Sequence, residues 1–147
     1  MAEGILRSMI PSELSGLVAV RSAGTMATEG TPAMALAIET AATRGIDIRS
    51  HRATPLEAEL LLESDLILCM EAAHALLARR IAPEAAERIH LVTRPAHEAG
   101  AAMEADIHDP IGGSLAAYHK AFDRIESYLT RWLPYIREAV ERSEGVR

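Results

Sequence analysis

The chain has 147 residues, 49 % of them hydrophobic, a formal net charge of −6 and a single cysteine, Cys69. That is the length of one domain, and with only one Trp, three Tyr and one Phe its core must be built mainly from Leu, Ile, Val, Ala and Met. A lone cysteine excludes an internal disulfide and any chemistry that passes electrons between two protein thiols.

No apolar run approaches the roughly 20 residues of a membrane span, and MAEGILRSMIPSEL at the start is too polar for a secretory signal. The basic residues are scattered, whereas nucleic-acid binding needs a clustered positive face. The expectation is a soluble cytoplasmic protein, with neither membrane nor nucleic acid as a partner.

The elements alternate between helix and strand, the pattern of a parallel α/β sheet. Residues 1–10 read as a helix with Ile5, Leu6 and Met9 on one face, ended by Pro11. LVAV at 17–20 reads as a continuous apolar strand, left through the turn SAGT at 22–25. Pro32 suits the first position of the next helix, whose apolar stripe is Met34, Ala37, Ile38 and Ala41 and whose end is marked by Gly45.

A short helix near 55–63, with a solvated face at Glu57, Glu59 and Glu63, precedes DLILCM at 65–70. That run, apolar and flanked by acids, reads as a parallel strand buried on both faces. Residues 71–81 are helical, apolar at Ala73, Leu76, Leu77 and Ile81, and IHLV at 89–92 is the last strand. A long connection over 94–110 follows, of a length usually tied to function or disorder. The final helix runs from Ser114 to about Val140 through Leu115, Tyr118, Phe122, Ile125, Leu129 and Leu133, with Pro134 expected to kink or restart it. Three strands make a thin sheet for this class, and the position where a strand would feed the first helix, the usual ligand site, is the chain start.

Asp109-Pro110 is the strongest chemical pair. Proline fixes its own φ and pushes the preceding residue extended, which helps hold the Asp side chain in one place. On residue chemistry alone the pair reads as a helix-entry turn, with the glycine pair and a Ser114 N-cap behind it, rather than as an acid. His74 suits an exposed helix face, and His90, His97, His108 and His119 show no metal-ligand spacing and read as surface residues. Cys69 ends an apolar run, where a thiol is buried and inert.

MAEGILR at 1–7, VRSAGT at 20–25, GTP at 30–32, GID at 45–47, HRA at 51–53, DLILCME at 65–71 and DPIGGS at 109–114 resemble, in order and spacing, the low-molecular-weight protein-tyrosine phosphatases. The likeness runs over essentially the whole chain. It implies a three-layer α/β fold whose family has a four-stranded parallel sheet in the order 2-1-3-4. It also implies a cysteine thiolate as nucleophile, held in a Cys-x5-Arg loop that cradles phosphate with backbone N–H groups.

Neither that loop nor the strand leading to it is found in these 147 residues. Counted from Cys69, the loop's arginine position is occupied by Ala75. The resemblance implies that Asp109 is the general acid and then the general base, and that Ser22 and His51 buttress the phosphate loop. Without the resemblance, Ser22 is a strand-end turn residue and His51 a solvated loop histidine beside Arg49 and Arg52. Metal and cofactor are not called for.

The implied substrate is a phosphorylated protein, carrying phosphotyrosine or, because Ile111-Gly112-Gly113 stands where many members carry aromatics, phosphoarginine. Three expectations stay open. The chain is an active member whose true start lies upstream, or an N-terminally truncated domain over 1–147 that is inactive or a binding module, or an unrelated α/β protein. The coding sequence upstream of Met1 separates the first from the others.

Overall fold

A computed structural model describes residues 1–95 and 106–145. Its helices are α1 (Ala2–Met9), α2 (Ala35–Ala42), α3 (Ala58–Glu63), α4 (Ala72–Ile81) and α5 (Leu115–Gly145). Its strands are β1 (Ile67–Cys69) and β2 (Ile89–Leu91). The strands pair in parallel, with Ile67 opposite Ile89, Leu68 opposite His90 and Cys69 opposite Leu91.

Side chains alternate across a strand, and here the alternation divides two cores. Leu66, Leu68 and Met70 turn towards α1, α2 and α5, packing on a cluster that includes Ile5, Ala41, Val92, Phe122, Leu129 and Trp132. Ile67 and Cys69 turn towards α3 and α4 and pack with Leu61, Ala75, Ala78 and Ile89. Helices thus cover both faces of a small parallel sheet, but the strand expected over 65–70 is confined to Ile67–Cys69, where only Cys69 is buried and Ile67 and Leu68 are half-buried.

The largest departure is at LVAV. Residues 17–20 form no strand: Leu17 is 48 % exposed, and the described residues offer them no ladder partner. Arg7 Nε and Nη2 donate instead to the Val20 carbonyl, at 3.2 and 2.8 Å. An apolar run becomes a strand only where a neighbour takes up its backbone groups, so the described residues form two strands where three were expected.

Pro32 does not open α2. It lies before the helix in an isolated antiparallel bridge with Arg52, and Met34, expected in the apolar stripe, is 53 % exposed. The buried positions of α2 are Ala37, Thr40 and Ala41. Gly45 does close it, at φ +73°. The Gly45 and Ile46 amides donate to the carbonyls of Ala42 and Ala41, both at 3.0 Å, the paired bonds of a Schellman ending.

In α4 the buried residues are Ala75 and Ala78, while Leu76 and Leu77 face outward. The small residues allow the helix to sit close on the sheet. Helix α5 continues through Pro134. Pro134 and Thr130, whose carbonyl loses its helical donor, are both exposed, so the break in the hydrogen-bond ladder falls on the solvent side of the helix.

Gly4 brings α1 against the segment after α2. A Cβ there would stand 2.6 Å from Ile48 Cγ2 and 3.2 Å from Ile46 Cγ2. Overpacking costs roughly 1–3 kcal/mol, against about 1 kcal/mol of helix propensity gained by alanine. Gly4→Ala is therefore expected to lower the urea midpoint. A raised midpoint would show that the close approach is not tight.

Candidate active site

The first turn of α1 carries Glu3, a hub that the sequence pattern did not single out. Its side chain is 12 % exposed. Ser22 Oγ donates to Glu3 Oε2 at 2.5 Å, His51 Nδ1 lies 3.6 Å from the same oxygen, and Arg7 Nη2 stands 2.9 Å from Oε1. Three separate segments, α1, the stretch after 17–20 and the loop after Ile48, thereby meet on one carboxylate. The signal available in the sequence was the i,i+4 spacing of Glu3 and Arg7 within MAEGILR.

The structure brings Ser22 and His51 together, but on Glu3 rather than on each other. His51 is not a solvated loop residue, since its side chain is only 24 % exposed. Arg49 pairs with Asp47 at 2.6 Å, and Arg52 donates to the carbonyls of Arg49 and His51 at 3.1 and 2.7 Å. Glu3, Ser22 and His51 line a cleft of about 490 Å³ together with Met1, Arg21 and Arg52.

Asp109 is outside that lining, though its charge is felt at Met1, which is part of it. Burial lowers the pKa of the Met1 amino group, and the carboxylates of Glu3 and Asp109 oppose that lowering. The segment bearing Asp109 is tied to the carboxyl end of β1, where the Ile107 amide donates to the Met70 carbonyl at 3.0 Å. The Ile111 amide donates to Asp109 Oδ1 at 2.9 Å, and that of Gly113 to the Pro110 carbonyl at 2.8 Å. Ser114 then caps α5, its Oγ accepting from the Ala117 amide at 3.3 Å. The turn geometry engages one carboxylate oxygen and is compatible with chemistry at the other.

Cys69 points into the α3–α4 side of the sheet, 7 % exposed. Burial pushes its thiol up to about 11, with Arg79 pulling the other way. Roughly one thiol in a thousand is then ionised near pH 8, and only the thiolate attacks. Alkylation of the native protein by iodoacetamide is expected to be slow there and to accelerate as pH approaches 11. Because the neutral thiol is favoured in the native state, the stability it supports is kept below the ordinary 9.0 and lost as pH climbs through about 11. Fast alkylation of folded protein at neutral pH would contradict this burial.

The other histidines divide. His108 is 80 % exposed, with Nδ1 3.7 Å from Glu71 Oε1, and His74 Nε2 lies 4.0 Å from Oε2 of the same residue. His90, read as a surface residue, is half-buried on β2, with its ring 5.4 Å from that of Trp132. Burial lowers its pKa, as does the charge of Arg79. His119 is half-buried on α5, and His97 lies outside the described residues. Among the described residues no group of three His, Cys, Asp or Glu is placed to hold a metal, and no helix is long and apolar enough to cross a membrane.

A small parallel sheet with helices on both faces defines an α/β protein, and the segment bearing Asp109 lies at the sheet's carboxyl end. The chain belongs to the low molecular weight phosphotyrosine protein phosphatase family, whose sequence profile matches residues 1–144. It is 35 % identical over 137 residues to a probable low molecular weight protein-tyrosine-phosphatase, EpsP, of Ralstonia nicotianae, covering 93 % of this chain and 86 % of that protein. It is 33 % identical over 130 residues to the protein-arginine-phosphatase of Bacillus subtilis, covering 88 % and 82 %.

Among solved structures, Vibrio vulnificus Wzb in complex with benzylphosphonate superposes with a TM-score of 0.76 at 31 % identity, over 89 % of this chain and 85 % of that one. The YwlE arginine phosphatase of Geobacillus stearothermophilus superposes at 0.80 with 25 % identity, over 94 % and 84 %. Family membership makes the chain a protein-phosphatase homologue of the hydrolase class, with phosphoproteins as its substrate class.

Proposed function

We propose that these residues supply the acid–base and supporting parts of a phosphoprotein phosphatase, with Asp109 as the proton carrier and Ser22 and His51 as supports of a phosphate loop. The observation that carries this reading is that the segment bearing Asp109 is held at the carboxyl end of β1 by the Ile107–Met70 hydrogen bond, while Glu3 gathers Ser22 and His51 on one carboxylate. In the first step a cysteine thiolate forms an S–P bond as the P–O or P–N bond to the substrate side chain breaks. Asp109 gives its proton to the departing atom. In the second step Asp109 takes a proton from water, whose oxygen bonds to phosphorus as the S–P bond breaks and inorganic phosphate leaves.

Cys69 does not fit the nucleophile's role, being buried with a raised thiol pKa and lacking an arginine where Ala75 stands. The reaction needs a Cys-x5-Arg loop that the 147 residues do not contain, so this polypeptide alone is inactive. Phosphotyrosine and phosphoarginine are the two candidate substrates, matching the two kinds of phosphatase named among its relatives.

The test compares the 147-residue polypeptide with a form carrying a strand and Cys-x5-Arg loop ahead of Met1. The first is expected to show no hydrolysis of p-nitrophenyl phosphate, and the second to hydrolyse it, unaffected by Cys69→Ser. Hydrolysis by the bare polypeptide that disappears in Asp109→Ala would overturn the assignment of the nucleophile. A folded but inactive loop-bearing form would favour a binding module.

A further inference from the structure

Asp106, three residues before the candidate acid, does more than its place in a loop suggests. Its Oδ1 accepts the Ala72 amide at the start of α4, at 3.1 Å. Its carbonyl accepts from Arg124 Nη1 of α5 at 3.1 Å. The neighbouring Ile107 is 4 % exposed and its amide reaches the Met70 carbonyl at 3.0 Å, while His108 faces Glu71 just ahead of α4. One short segment is thus fastened to β1, α4 and α5 at once, and the next residue is Asp109.

We propose that Asp106 is a positioning residue for Asp109, its carboxylate joining the Asp109 segment to the first turn of α4. This rests on the assignment of Asp109 as the proton carrier. Proton transfer needs heavy atoms within hydrogen-bond reach, and a displacement of about 1 Å can cost a hundredfold in rate. With Pro110 fixing the chain after Asp109 and the Ile111 amide holding Oδ1, the remaining freedom lies in where residues 106–108 sit. The Ala72 hydrogen bond sets that position from the side chain, and the Met70 and Arg124 bonds set it from the backbone. The Asp106 carboxylate acts here as an acceptor, so an amide can replace it.

Two measurements test the proposal. In the 147-residue chain, amide hydrogen exchange of Asp106→Ala is expected to speed up at Ala72, Ile107 and Ile111, with the α5 amides around Phe122 and Leu129 unchanged. Unaltered exchange at those three amides would overturn the proposal. In the loop-bearing form, kcat/KM, which reports only the steps up to departure of the phenol and so the acid role alone, is compared between phenyl phosphate, a poor leaving group that needs the acid, and p-nitrophenyl phosphate, which needs it less.

Asp106→Ala is expected to lose roughly 10- to 100-fold more kcat/KM on phenyl phosphate than on p-nitrophenyl phosphate. Asp106→Asn, which keeps an oxygen for the Ala72 amide, is expected to recover most of that loss. If Asp109→Ala shows the leaving-group dependence and Asp106→Ala does not, the positioning role falls. If Asp109→Ala does not show it either, the assignment of the acid is what fails. An equal loss on both esters would mark Asp106 as a general support of the fold and overturn the proposal.

Discussion

In a form carrying the Cys-x5-Arg loop, Asp109→Ala is expected to lower turnover on a phosphotyrosyl peptide by about 10²- to 10⁴-fold, the usual share of a positioned general acid. The loss in kcat/KM, which reports only the steps up to departure of the leaving group, should shrink as the leaving group improves, because a stable phenolate departs without a proton. Asp109→Asn separates chemistry from architecture. Its side-chain oxygen can still accept the Ile111 amide, which now donates to Oδ1 at 2.9 Å, so the turn into α5 survives. The amide has no acidic proton to give, and Asn is expected to be as impaired as Ala. Asp106 should behave in the opposite way, with Asn restoring what Ala removes, since it is needed as an acceptor. Asn rescue at position 109 would show that the aspartate serves the turn alone.

How much of this was legible in the sequence varies from element to element. DLILCM was readable because both neighbours of its strand supply apolar surface, and the alternation of Leu66, Leu68 and Met70 with Ile67 and Cys69 feeds two cores. LVAV has the same local character yet forms no ladder, because strand formation depends on a partner that four residues cannot specify. The stripe on α5 was read correctly to Leu129 and then continued to Leu133. A helical face steps by three or four residues, and the structure takes the step of three, burying Trp132.

At the site, Asp109 stood out through its proline, and Ser22 and His51 only through the family resemblance. Glu3 joins them through contacts with residues 19 and 48 positions away, beyond the reach of any local pattern. Asp106 was hidden for the same reason, its partner Ala72 lying 34 residues earlier.

Trp132→Ala is expected to be among the most destabilising single changes in the chain. The side chain is fully buried and packs edge-on to Tyr135, with ring centroids 5.6 Å apart. Its Nε1–H donates to the Val92 carbonyl at 2.8 Å, just past the end of β2. Removing a buried Trp costs about 3–5 kcal/mol through lost burial and the cavity left, and a stranded carbonyl adds roughly 1–3 kcal/mol. Set against a total of about 5–15 kcal/mol for a domain, the variant should be largely unfolded or close to it at 37 °C. Circular dichroism during urea unfolding is the measurement, because Trp132, the only tryptophan, is itself the fluorescent reporter being removed. Trp132→Phe keeps most of the volume and gives up the hydrogen bond, so its loss should fall well below that of Ala. Equal losses for Phe and Ala would assign the effect to the Val92 bond, and a loss under about 1 kcal/mol for Ala would contradict the packing. The consequence reaches the site, because the helix that Trp132 pins to β2 also carries Arg124, which holds the Asp106 carbonyl. Loosening α5 therefore releases the segment that aims Asp109.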